Sequence, residues 1–291
     1  MATLQDLEVM LCEAIATGNF PCLKRLVNSG IGCNAVLHSP LHWESTTVLS
    51  TAAYAGNIQM VKYLVETGAS VNLQDPGLRR NALHWASMGP STTIVKYLLK
   101  QGADINALDR DNMSPLLQAA VHRHQSAVQA LVLAGADVHQ VDRLRCSALH
   151  YAAFHGDPIA VAALVQAGCI HNNSIFGKGT PLANLISHGD LQNIQLLLAA
   201  GYQLLTTDLE IVSELSEDCP IKYLVKNHFS QAASLKHHCR VFIRSCVKGA
   251  NLHKSLKELP LPPCLIRYLL LEPLMENENS IKEEVGITLN G

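Results

Sequence analysis

At 291 residues and a formal charge of −2, the chain is long for one compact core but suits an array whose core grows by adding units. Hydrophobic residues make up 48% and aromatics only 5%, so the core must be built from Leu, Val, Ile and Ala, which leans all-helical. There is no basic excess and no run of Lys and Arg interleaved with aromatics, which excludes nucleic acid as an expected partner.

Taken from the start, Met1-Ala2-Thr3-Leu4-Gln5-Asp6 places an acid where a secretory signal carries Lys or Arg. No apolar run reaches membrane-spanning length, so a soluble chain without membrane insertion, cytoplasmic or nuclear, is expected. The 9 cysteines are odd in number, scattered and without zinc-knuckle spacing, which reads as reduced thiols and no metal. Cys12, Cys22 and Cys219 fall near apolar helical positions, where a free thiol acts as a small hydrophobe.

The first element is a degenerate helix pair marked by Leu11, Ala14, Gly18, Leu23/Leu26/Val27 and Gly30. A long connection follows to Thr47, carrying His38, His42 and Trp43 as a candidate contact loop. From there a fixed period sets in, with Gly68, Gly102, Gly135, Gly168 and Gly201 spaced by 34, 33, 33 and 33 residues. Leu49, Leu83, Leu116, Leu149 and Leu182 share it. So do the triplets Val61/Leu64/Val65, Val95/Leu98/Leu99, Val128/Leu131/Val132, Val161/Leu164/Val165 and Ile194/Leu197/Leu198. Each triplet lies on one face of a second helix, and the following glycine suits its left-handed end. Two residues before each marker leucine stands Thr47, Asn81, Ser114, Ser147 or Thr180, able to cap a first helix, with Pro115 and Pro181 at its first position. A last degenerate pair is marked by Thr207, Leu209 and Ile221/Leu224/Val225, making about seven pairs.

Asn81-Ala82-Leu83-His84-Trp85-Ala86, Ser114-Pro115-Leu116-Leu117-Gln118-Ala119, Ser147-Ala148-Leu149-His150-Tyr151-Ala152 and Thr180-Pro181-Leu182-Ala183-Asn184-Leu185 resemble the ankyrin Thr-Pro-Leu-His-x-Ala signature. His84 and His150 belong to that signature and read as structural. The resemblance implies a concave face lined by hairpin tips and by the ends of the first helices. Its candidate target contacts are Tyr54, Met88, His122, Phe154, His155 and His188, with Asp109, Arg110 and Arg143 at the tips. The His122, His155, His188 ladder is too widely spaced to share one metal, because neighbouring helices lie about 8–10 Å apart.

Beyond the repeats, Leu235, Cys239 and Ile243 recur every four residues on one helix face. Leu259-Pro260-Leu261-Pro262 then forces an extended stretch before a final helix. Together these resemble a SOCS box. The resemblance implies that Leu235, Cys239 and Ile243 hold elongin C, which brings elongin B. It implies that Leu259, Pro260, Leu261 and Pro262 select cullin-5 with its RING subunit.

The whole is similar to the ankyrin repeat and SOCS box family: an all-α ankyrin-repeat solenoid over residues 1–231, a small helical SOCS box over 232–272, and a polar tail over 273–291 expected to be disordered. The implied function is that of a non-catalytic receptor. It would bind an unidentified target protein and recruit a ligase for ubiquitination and proteasomal degradation. The same residues would serve a scaffold or decoy that binds elongin B/C without promoting ubiquitination. No cofactor is implied. Gly177-Lys178-Gly179-Thr180 lacks the spacing of a phosphate loop, and no nucleophile elbow or metal-binding helix motif occurs.

Overall fold

The computed structural model describes residues 4–38, 45–172, 179–231, 241, 243, 244, 247, 252–259 and 261–271. Among these, sixteen helices and one two-stranded hairpin occur. Fourteen helices fall into seven sequential pairs, whose two members pack on each other in every case. The chain divides into two compact units, Met1–Ala136 and Asp137–Gly291.

The first unit holds α1 (Leu4–Ala16) and α2 (Phe20–Asn28), α3 (Val48–Tyr54) and α4 (Ile58–Glu66), α5 (Ala82–Met88) and α6 (Thr92–Lys100), and α7 (Pro115–Val121) and α8 (Gln125–Leu133). First helices stack on first helices, α1 on α3, α3 on α5 and α5 on α7. Second helices do likewise, α2 on α4, α4 on α6 and α6 on α8. The marker leucines Leu49, Leu83 and Leu116 are sealed between them, each side chain contributing about 1.5–3 kcal/mol by leaving water.

Local signals set where each helix begins. Thr47, Asn81 and Ser114 cap as expected, accepting from Ser50 N (3.1 Å), His84 N (3.1 Å) and Leu117 N (3.3 Å). His84 Nδ1 also accepts from the Asn81 N–H at 3.3 Å, leaving Nε2–H to donate to the Met113 carbonyl at 3.1 Å. Second helices run into glycines such as Gly102, whose φ of +82° ends the helix. The long connection after Gly30 adds a feature outside the all-α expectation. β1 (Val36–His38) pairs antiparallel with β2 (Ser45–Thr47), and His38 sits 3.5 Å from Glu8. His42 and Trp43 lie outside the described residues.

The second unit holds α9 (Ala148–Phe154) and α10 (Pro158–Gln166), α11 (Pro181–His188) and α12 (Leu191–Ala199), and α13 (Thr206–Glu214) and α14 (Pro220–Gln231). It also holds α15 (Leu252–Lys257) and α16 (Pro263–Leu269), which pack on each other. Thr180 caps α11 by accepting from Ala183 N at 3.0 Å. Ser147 stands at the same place before α9, its hydroxyl 2.9 Å from His150 Nδ1. The last pair starts one residue before the expected Thr207, because Asp208 accepts the Leu205 N–H at 2.9 Å and closes the turn there. The cysteines described are all free thiols, with Cys12 buried and Cys22 and Cys219 half-buried. No described helix is long and apolar enough to cross a membrane. The tail over 273–291 lies outside the described residues.

Candidate target-binding face and ligase-docking segment

Each well-formed hairpin turns a buried aspartate inward. In the first unit Asp75 accepts Trp85 Nε1–H at 3.0 Å and Leu78 N–H at 2.8 Å. One repeat later Asp109 accepts Gln118 Nε2–H at 3.0 Å, the N–H groups of Asp111 and Met113, and Arg80 Nε–H at 3.0 Å. The expectation that Asp109 sits at an exposed tip is therefore corrected. Its side chain is fully enclosed, with four donors offsetting the loss of water around the carboxylate. Arg110 remains at the surface and ties neighbouring hairpins together, donating from Nη2 to the Pro76 carbonyl at 3.1 Å.

The structure joins several expected contacts into one patch. Tyr54 meets Trp85 edge to face at 5.8 Å, Arg80 lies 5.4 Å from the Trp85 ring, and Arg80 Nη1 reaches Met88 Sδ at 3.9 Å. Tyr54 is partly exposed and Met88 half-buried under Arg80. His122 is exposed and donates from Nδ1 to the Gln118 carbonyl at 2.9 Å.

In the second unit Asp142 repeats the motif, accepting the Tyr151 hydroxyl at 2.5 Å and the N–H groups of Leu144 and Cys146 at 2.8 Å. Burial and the adjacent Asp142 carboxylate push the Tyr151 phenol up. Arg143 stays exposed beside it. Phe154 is 40% exposed and meets His155 edge to face at 5.4 Å. His188, exposed, donates from Nε2 to the Phe154 carbonyl at 3.2 Å, so two of the three ladder histidines flank one phenylalanine. His150 accepts the Ser147 N–H at 3.1 Å, but its Nε2 is enclosed without a hydrogen-bond partner among the described residues. Burial, and then the nearby His171, lowers its pKa to about 4. No group of three or more His, Cys, Asp or Glu among the described residues is arranged to hold a metal ion.

The segment after the repeats builds a small core of its own. Leu252, Leu256, Leu269 and Leu270 are buried together, with Ile243, Val247, Leu259, Leu261 and Ile266 packed against them. Of the residues expected to hold elongin, Ile243 thus faces the segment's own leucines, while Leu235 and Cys239 lie outside the described residues. Of the proline run, Leu259 and Leu261 are half-buried on that core, Pro262 is exposed at the start of α16, and Pro260 lies outside the described residues.

Among the described residues, Arg244, Leu252 and Val241 join this segment to the repeats. Arg244, 7% exposed, donates to the Leu269 carbonyl at 2.6 Å and the Val165 carbonyl at 2.8 Å. Gly168 lies so close to Leu252, and Gly201 to Val241, that a Cβ on either glycine would fall 2.9 Å from the neighbouring side chain.

Known families account for both halves. The family described as Ankyrin repeats (3 copies) matches residues 11–109, 49–142 and 116–208, together more than half of the chain. The family described as SOCS box matches residues 231–270. The chain is an ankyrin repeat and SOCS box protein. No curated protein matches it by sequence. An ankyrin repeat and SOCS box protein combines two adaptor modules: repeats that bind protein, and a box that recruits elongin B/C and a cullin ligase.

Sequence reasoning did not find the buried aspartates or Arg244. Asp75, Asp109 and Asp142 recur at 34 and 33 residues, and each pairs with the variable residue of the helical signature, Trp85, Gln118 or Tyr151. That period was the available signal. Nothing in the sequence pointed from Arg244 to Val165.

Proposed function

We propose that this protein is the substrate receptor of an elongin B/C, cullin-5 and RING ubiquitin ligase, and that its bound target is ubiquitinated and degraded. The observation that carries the reading is the SOCS box match over residues 231–270, which contains both Leu235/Cys239/Ile243 and Leu259-Pro260-Leu261-Pro262. In this reading Leu235 and Cys239 anchor elongin C together with Ile243, which packs on the box core, and the proline run selects cullin-5. The repeats, to residue 231, hold the target through Tyr54, Met88, His122, Phe154, His155 and His188, with Arg110 and Arg143 at the hairpins. The fastening of the box to α10 supports it, since a target held on the repeats of that unit keeps a set distance from the ligase. The receptor itself makes and breaks no covalent bond.

The test is co-purification of the intact chain and a Leu235→Ala/Cys239→Ala variant with elongin B/C and cullin-5. Retention of both partners by the intact chain, and their loss with the variant, is expected. A buried aliphatic anchor commonly contributes about 2 kcal/mol or more to an interface. If the intact chain retains elongin B/C but prefers cullin-2, the cullin assignment is wrong. If it retains neither, the receptor reading fails.

A further inference from the structure

The second helices of the first unit carry their charge in a row. Lys24, Lys62 and Lys96 each stand fifth in α2, α4 and α6, and all three are exposed. Because α2 packs on α4 and α4 on α6, the row crosses three neighbouring helices, whose axes lie about 8–10 Å apart. In α8 the fifth residue is Gln129 and the helix holds no charged residue, so the row ends there. The other charged residues of the three helices are Arg25, Lys100 and Glu66, all exposed.

Two of these lysines rest on aromatic rings. The Lys24 ammonium lies 5.8 Å from the centre of the Tyr63 ring and the Lys62 ammonium 5.9 Å from that of Tyr97, each ring belonging to the next helix of the row. Both rings are half-buried; Phe20 meets Tyr63 edge to face at 5.5 Å, and the Tyr63 hydroxyl donates to Asn28 Oδ1 at 2.9 Å. A ring face attracts the cation yet leaves its N–H donors for a ligand. It also restrains a long side chain in advance, so less ordering is left for a partner to impose. Burial, and then the nearby Glu66, raises the Tyr97 pKa, which places that acid beside the same ring.

We propose that this row docks an acidic, extended segment of a partner protein, with a carboxylate at every third residue beside Lys24, Lys62 and Lys96 in turn. A polyproline II chain has three residues per turn and rises about 3.1 Å per residue, so its third-residue side chains share one edge about 9 Å apart, the interval of the helices. A β-strand would turn every second one of those side chains away. A membrane surface has no such interval, and α2, α4 and α6 present no exposed large apolar side chain to insert into one. The row lies on other helices than Tyr54, Met88 and His122, and the proposal does not rest on the receptor reading.

The experiment measures fluorescence anisotropy of a labelled peptide of three Glu-Pro-Pro repeats with the full chain at low ionic strength. Binding is expected to fade as salt rises and to be severalfold tighter than for a peptide of the same composition with its glutamates contiguous. A Lys24→Glu/Lys62→Glu/Lys96→Glu variant is expected to lose on the order of tenfold in affinity or more, with its melting temperature unchanged because the three side chains are exposed. Glu66→Gln should tighten binding, and Tyr97→Leu, which keeps every charge, should weaken it. Equal affinity for the two peptides, equal affinity of the charge-reversed chain, or no binding at low salt would overturn the proposal. So would phosphatidylserine vesicles that capture the chain through the same lysines while the peptide does not bind.

Discussion

Arg244 Nη2 donates to the Val165 carbonyl at 2.8 Å across 79 positions of chain, while Nη1 donates to the Leu269 carbonyl at 2.6 Å. Both acceptors lie in the last turn of a helix, where carbonyls run short of intrahelical donors and the helix dipole is negative. The Val165 carbonyl already accepts the Gly168 N–H at 3.0 Å, so Arg244 fills its second lone pair.

Replacing Arg244 with alanine is expected to cost about 3 kcal/mol, because two charge-assisted hydrogen bonds are lost in a buried place. Arg244→Lys should recover at most one of them, since an ammonium is a point donor and not a fork. Hydrogen exchange would report this as faster exchange in α15 and α16 with the first unit unchanged. Wild-type protection in the alanine variant would show that the box is fastened by other means.

Gly201→Ala and Gly102→Ala form a matched pair. Both glycines have positive φ, +96° and +82°, so each alanine carries the left-handed penalty of about 1–2 kcal/mol. At Gly102 the new Cβ meets nothing within 4 Å, whereas at Gly201 it would lie 2.9 and 3.0 Å from the two methyls of Val241. A β-branched side chain has few rotamers with which to retreat. Urea denaturation should therefore show the larger loss for Gly201→Ala, and equal losses would mean that Val241 moves aside freely.

Tyr151→Phe removes the donor from Asp142 Oδ2 and leaves the ring in place. A hydrogen bond to a buried charge contributes about 2 kcal/mol, and a fall in the urea midpoint of that size is expected. An unchanged midpoint would mean that water takes over the carboxylate at this hairpin.

His150 makes stability depend on pH. Its pKa falls from the ordinary 6.5 to about 4 in the folded chain, so between those values the unfolded state binds the extra proton. Stability is full above pH 6.5 and declines as pH falls towards 4, by up to about 3 kcal/mol from this group. His150→Leu should flatten that part of the curve, and the preceding repeat already buries Leu117 at the corresponding place. A curve as steep in the variant as in the parent would assign the proton to another group.

The sequence by itself determined the repeat. Glycine, leucine and triplet spacings located the helix pairs, and the caps at Thr47, Asn81, Ser114 and Thr180 marked four first-helix starts, because helix periodicity and capping depend on residues a few positions apart. The SOCS box was legible for the same reason, as spacing within one segment. Tertiary structure alone decided which side chains the pattern leaves outside. Asp109 looked like a surface charge and is interior, as is Asp142, while Arg110 and Arg143 stay out. The leucines of the box cover themselves, and Arg244 holds them to α10 through Val165. Periodicity tells which residues share a face but not what packs against it, since that depends on groups brought together from distant parts of the chain.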